Sequence, residues 1–181
     1  MSQALQILDQ ACVVAFPVVA LLAARSDWSR FTIPNRLPVA IAGLWVLHAV
    51  LLLLQGEALA SLVWSVGIAL VVFLIGAGLF AANLLGGGDV KLLAAATLWA
   101  PLQFVLPFIA VVTVSGALLA LAFLVPGFGN RPPDQAAAAG MAGNGSTAGL
   151  LMKRKTPYGV SIAVGSIAIA LKLLNVLPAG G

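Results

Sequence analysis

The chain has 181 residues, of which 62% are hydrophobic and only 8% are charged, and its mean hydropathy is +1.12. Soluble domains carry about 25% charged residues, so this composition excludes an ordinary soluble domain and indicates a polytopic, all-α membrane protein. The single cysteine, Cys12, excludes an intrachain disulfide and a cysteine-based metal site, and no cofactor is predicted.

Apolar segments separated by short polar breaks predict six membrane-spanning helices in one domain, residues 1–181. The predicted spans are about 4–24, 37–54, 58–82, 89–100, 102–125 and 158–177. Residues 92–125 form a nearly unbroken apolar stretch, and we place a helix break at Pro101 because proline removes a backbone donor. The fourth span is then about 12 residues, or about 18 Å, which is short for a membrane core of about 30 Å.

The first ten residues contain no Lys or Arg, so they lack the basic region of a cleaved signal peptide, and the first apolar run is predicted to be retained as a span. Asp9 is interpreted as a residue near a helix start, where a carboxylate complements the helix dipole. His48 lies inside the second span without a ligand set, and a hydrogen bond between helices is its predicted role.

The basic residues predict the orientation, since cytoplasmic loops are enriched in Lys and Arg. With six spans and both termini outside, the inner segments hold eight of the nine basic residues: Arg25, Arg30, Arg36, Lys91, Arg131, Lys153, Arg154 and Lys155. This distribution indicates contact with a membrane surface and no nucleic-acid partner. The segment 126–157 is rich in Gly, Pro and Ala, and it is predicted to be a flexible cytoplasmic loop.

Two of the five acidic residues, Asp27 and Asp89, fall at inner ends of predicted spans and therefore at the same membrane depth. Two carboxylates that meet can share a proton, so that one activates a water molecule while the other polarises a carbonyl group. This arrangement would hydrolyse a peptide bond. The spacing alone also permits a simpler interpretation, in which Asp89 is a helix N-cap and Asp27 is a polar loop residue.

The neighbouring residues favour the catalytic interpretation. Gly86, Gly87 and Gly88 have no side chains and permit backbone angles closed to other residues, so an extended substrate could approach Asp89. After Asp27, Pro34 would stiffen the loop, and Asn35 is predicted to be the N-cap of the second span. Lys91 is interpreted as a charge for lipid headgroups, with the alternative that it tunes the two acids.

Three motifs resemble those of type IV prepilin peptidases, which are membrane aspartyl proteases of the GxGD class. GGGDVK at 86–91 is similar to their GxGDxK motif, DWSRFTIPN at 27–35 to their first aspartate motif, and KTPYGVSIAVG at 155–165 to the element that opens their last span. The resemblance implies that Asp27 and Asp89 are catalytic. It also implies that Gly86 and Gly88 are motif glycines and that Pro157, Tyr158 and Gly159 support the site.

The resemblance implies cleavage of the basic leader of prepilins at the cytoplasmic face of the bacterial inner membrane, with the pilus assembly machinery as a further partner. Larger members carry an N-terminal domain with paired cysteines that is linked to methylation. This chain has one cysteine, and no such domain is expected, so the chain resembles the short peptidases of Flp or tight-adherence pili, and methyltransferase activity is not expected.

Three alternatives stay open. Archaeal preflagellin peptidases share the motifs. Presenilin-like intramembrane proteases share GxGD but carry a Tyr-Asp pair, where this chain has Ser26-Asp27. A proton-coupled carrier could use two acids to shuttle protons, although no internal repeat of the kind common in transporters is present.

Overall fold

The computed structural model describes residues 3–123 and 157–176, and these residues form helices without strands. The elements in chain order are α1 (Gln3–Arg30), α2 (Arg36–Leu54), α3 (Leu59–Ala81), α4 (Gly87–Thr97), α5 (Leu102–Ala122) and α6 (Tyr158–Val176). The predicted all-helical fold is confirmed for this part of the chain. The predicted flexible loop at 126–157 lies outside the described residues except for Pro157.

All of these helices except α4 are long and apolar enough to cross a membrane. Their outward faces carry large apolar side chains such as Leu106, Val39 and Trp64, which are 80%, 68% and 62% exposed. An apolar surface of this extent is what a lipid environment requires. The number of spans and the side on which each terminus lies stay predictions.

The helix break near Pro101 is present, because α4 ends at Thr97 and α5 begins at Leu102 with Pro101 as its N-cap residue. At 11 residues, α4 is about 16 Å long. Trp99, in the turn after α4, stacks on Phe16 of α1 at 4.7 Å and on His48 of α2 at 5.0 Å between ring centroids. The end of this short helix is thus held by two longer ones.

Helix α1 extends six residues beyond the C-terminal end of the predicted span, and both of its acids are buried. Asp27 lies in the last turn of the helix and is buried, so the interpretation of Asp27 as a loop residue is wrong. The interpretation of Asp9 is also wrong, since the first turn of α1 contains no acid and Asp9 is buried. The Asp9 carboxylate forms a hydrogen bond with the His48 ring of α2, which confirms the predicted role of His48.

Helix α6 packs against α1 and α5, and Gly165 permits a close approach to α5. A Cβ atom on Gly165 would lie 2.6 Å from Val112 Cγ2 and 2.8 Å from Phe108 Cε2. We expect Gly165→Ala to lower the free energy of unfolding by about 1–3 kcal/mol, because both neighbours would have to move. Thermal unfolding in detergent measures the effect.

Gly67→Ala in α3 is the matched control, since a Cβ atom there meets nothing within 4 Å. This variant should be neutral or slightly more stable, because alanine favours helix by about 1 kcal/mol over glycine. An unchanged unfolding temperature for Gly165→Ala would contradict the tight packing of α5 on α6.

Candidate active site

Asp27 is positioned by the way in which α1 ends. Phe31 has a positive φ of 49°, in the left-handed region that terminates helices, and its N–H donates to the Asp27 carbonyl at 2.8 Å. The chain therefore turns away directly after Arg30 into the loop that carries Ile33, Pro34 and Asn35. The Asp27 side chain stays on the buried face of α1, with 5% of its surface exposed.

The Asp27 carboxylate meets the first turn of α6. Its Oδ2 accepts a hydrogen bond of 2.8 Å from the backbone N–H of Gly159. The first N–H groups of a helix have no partner within the helix, and this end attracts negative charge, so Asp27 satisfies one of them. A Cβ atom on Gly159 would lie 3.0 Å from both Asp27 Cβ and Oδ2, which explains why glycine is needed here.

Asp89 lies in the first turn of α4 and is half-buried. Its side chain turns back over the start of its own helix, so a Cβ atom on Gly86 would lie 2.5 Å from Asp89 Oδ2. Gly86 is the N-cap residue of α4. The space left by the missing side chain of Gly86 is therefore the space that the Asp89 carboxylate occupies.

The other two glycines of the motif also have close neighbours within the chain. A Cβ atom on Gly87 would lie 3.3 Å from the Phe80 ring of α3, and one on Gly88 would lie 3.1 Å from Ile33 Cβ. None of the three has a positive φ; among the described residues Gly56 is the glycine that does. Their role in this structure is thus to provide space and not unusual backbone angles, and the approach of a substrate to them stays a prediction.

A hydrogen bond of 3.0 Å joins the two aspartate motifs, from Lys91 Nζ of α4 to Asn35 Oδ1. Asn35 is the N-cap residue of α2, as predicted, but its side chain forms no capping bond to that helix. Lys91 is exposed, as a headgroup-facing charge would be, but it also binds the loop that follows Asp27. Pro34 lies within this loop, where its carbonyl accepts from the Leu37 N–H.

These contacts bring three distant segments to one end of the helix bundle, which we call the Asp27 end. The segment 27–35 meets 86–91 through Gly88 and Lys91, and it meets 157–159 through Gly159. Pro157 is fully buried directly before α6. The ring of Tyr158 lies against Gly116 of α5, where a Cβ atom would be 3.1 Å away.

A family model described as the type IV leader peptidase family matches residues 14–121. The chain belongs to the type IV leader peptidase family. The match includes both aspartate motifs and confirms the resemblance. It ends before α6, so the contact of Gly159 with Asp27 is known from the structure and not from the family match. Membership of the type IV leader peptidase family implies a protease, of the aspartic type in this family, that acts on prepilin substrates in general. No curated protein and no solved structure matches the chain.

Sequence reasoning predicted an interhelical hydrogen bond for His48 but missed its partner, because Asp9 was considered only within its own helix. One signal was available in the spacing of the two acids of α1. Asp9 and Asp27 are 18 residues apart, which is about five turns at 3.6 residues per turn and places them on one face of the helix. A buried Asp27 therefore predicts a buried Asp9.

Proposed function

We propose that this protein is a prepilin leader peptidase that uses Asp27 and Asp89 to hydrolyse the bond between the basic leader and the hydrophobic helix of its substrate. The observation that supports it most directly is the convergence of the two aspartate motifs at the Asp27 end, through Ile33 with Gly88 and Asn35 with Lys91. Family membership supports the general class of reaction.

In the proposed reaction one carboxyl group is ionised and acts as the base, and the other is protonated and acts as the acid. The ionised group removes a proton from water, and the water oxygen attacks the scissile carbonyl carbon. The protonated group donates to the carbonyl oxygen, which gives a tetrahedral diol. When the diol collapses, the group that took the proton from water gives it to the amine nitrogen, and the C–N bond breaks. The other group, now ionised, takes a proton from a diol hydroxyl, so that a new carboxyl group and a new amine are released and both acids return to their starting states.

The proposed location of this site is the cytoplasmic face of the bacterial inner membrane. Arg30, Arg36 and Lys91 lie exposed at the Asp27 end, and basic residues favour the cytoplasmic side. The described residues include no paired cysteines. We therefore propose a peptidase of the Flp or tight-adherence type, without methyltransferase activity, that works with lipids and the pilus assembly machinery around it.

The alternatives have less support. A preflagellin peptidase would use the same residues on a different substrate. A presenilin-like protease would share the GxGD glycines, and a proton-coupled carrier would use both acids without cutting a peptide bond. These functions make different predictions for one experiment.

The experiment is co-expression of the protein with candidate Flp-type prepilins and with a preflagellin, followed by mass spectrometry of the substrate N-terminus. We expect the leader to be removed from an Flp-type prepilin and the new N-terminus to carry no methyl group. Cleavage of the preflagellin alone would support the archaeal-type alternative. Failure of purified, folded protein to cleave any of the substrates would contradict the peptidase proposal.

The proposed orientation predicts a pattern of cysteine labelling. Ser29 lies at the Asp27 end, whereas Glu57 is exposed in the turn after α2, at the opposite end. With Cys12 replaced by alanine, a single cysteine at Glu57 should react with an impermeant thiol reagent in intact cells. Single cysteines at Ser29 and at Ser146, which lies outside the described residues, should react only after the membrane is permeabilised.

Permeabilised cells are the control, because all three positions should be labelled there. Labelling of Ser146 in intact cells would place the segment before α6 outside. It would then contradict both the six-span topology and the cytoplasmic location of the site.

A further inference from the structure

A second buried carboxylate, Asp9, takes no part in the proposed reaction. Its Oδ1 lies 2.5 Å from His48 Nδ1, and both residues are buried. Its Oδ2 is also buried and has no hydrogen-bond partner among the described residues. Ionisable side chains inside a membrane protein are costly and are retained where they have a role.

Asp9, His48 and the aromatic rings around them connect the helices that carry the two proposed catalytic acids. Asp9 belongs to α1, which carries Asp27, and His48 stacks on Trp99 with an angle of 17° between the rings. Trp99 lies two residues after the end of α4, the helix that carries Asp89 in its first turn. Trp99 also stacks on Phe16 of α1, with an angle of 2°. We call Asp9, His48, Trp99 and Phe16 the anchor cluster.

The anchor cluster is distant from the acids along both helices. Asp9 precedes Asp27 by 18 residues, or about 27 Å of helix, and Trp99 follows Asp89 by about 15 Å. The carboxylate–imidazole bond is directional, so it defines the rotation and height of α1 relative to α2 more sharply than apolar contacts could. The Trp99 N–H also donates to the Ile41 carbonyl of α2 at 3.3 Å, which ties the end of α4 to the same helix.

We propose that Asp9 and His48 are positioning residues. They set the rotation and height of α1 relative to α4, and they thereby hold the Asp27 and Asp89 side chains in the relative position that the reaction needs. The proposal rests on the proposed function of these two acids. It differs from a stabilising role, because a stabilising pair could be replaced by apolar side chains without loss of activity.

The test uses this difference. Replacing one member, Asp9→Leu or His48→Leu, leaves the other buried without its partner and should lower the unfolding temperature. Replacing both with leucine removes the buried polar groups, and such replacements are often neutral or stabilising. We therefore expect the double variant to regain thermal stability but to keep a kcat for prepilin cleavage at least about tenfold below the wild-type value, since misplaced catalytic groups react slowly. KM should stay within about twofold.

Asp9→Asn is the matched control. Its amide oxygen can still accept from the His48 ring, so the directional bond is kept while the charge is lost. We expect this variant to keep kcat within about threefold of wild type. Recovery of kcat together with stability in the double leucine variant would overturn the proposal, as would a loss in Asp9→Asn as large as in the double variant.

A measurement without substrate separates this proposal from the proposed function. The measurement uses a protein in which Cys12 is replaced by alanine. One spin label is placed at Ser29, at the end of α1, and a second at Leu84, before α4. The distance between the two labels reports how α1 and α4 lie relative to each other. Both positions are exposed. The double leucine variant should show a shifted or broader distance distribution, and Asp9→Asn should not. An unchanged distribution in the double variant would overturn the positioning role, even if the wild-type protein cleaved no prepilin.

Discussion

Asp27→Asn and Asp89→Asn are each expected to lower the rate of prepilin cleavage by about 10²–10⁴-fold, the range typical of general acid–base groups. Asparagine keeps the size and polarity of aspartate but cannot exchange the proton. At position 27 its side-chain oxygen can still accept from the Gly159 N–H, as Asp27 Oδ2 does. The protein should therefore remain folded in the membrane at normal levels while the cleavage rate falls.

The double variant should be hardly slower than either single variant, because members of one catalytic unit are not additive. Rates of purified protein on a synthetic prepilin, with unfolding temperatures recorded in parallel, provide the measurement. Glu57→Gln changes an exposed acid at the opposite end of the bundle and should have no effect. Near-normal cleavage by folded Asp27→Asn would show that the paired-aspartate mechanism is wrong.

Gly86→Ala should lower kcat by about 10–100-fold through a single added methyl group. Its Cβ atom would lie 2.5 Å from Asp89 Oδ2, closer than two such atoms can approach, so the carboxylate must move. The backbone at Gly86 has φ −77° and ψ 142°, which alanine adopts readily. The effect should therefore come from the displaced carboxylate and not from a strained helix start.

Gly78→Ala is the matched control for this prediction, because a Cβ atom at Gly78 in α3 meets nothing within 4 Å. Its kcat should equal that of the wild-type protein. Gly88→Val should also reduce cleavage, since a Cβ atom there already lies 3.1 Å from Ile33. If Gly86→Ala kept full activity, the position of Asp89 in this structure would not be the one used in the reaction.

Local sequence patterns were sufficient to predict the positions of the helices and the motifs of the site. Hydropathy indicates where an apolar helix lies. Pro101 favours the break between α4 and α5, because a missing backbone donor acts within one turn. The end of α1 was predicted six residues too early, at 24, since the polar residues of its last turns resemble a loop. Their helical conformation is favoured by burial of Asp27 against α6, which hydropathy does not report.

The sequence by itself determined the fold class, the family and the two candidate catalytic acids. Only the tertiary structure decided what each polar side chain binds. Asn35 meets Lys91 across 56 positions, and Asp27 meets the Gly159 N–H across 132. Asp9 meets His48 across 39 positions. A side chain that could cap its own helix can equally bind a group on another helix, and the choice depends on how the helices pack. That packing arises from contacts along whole helix faces, so no short motif contains it.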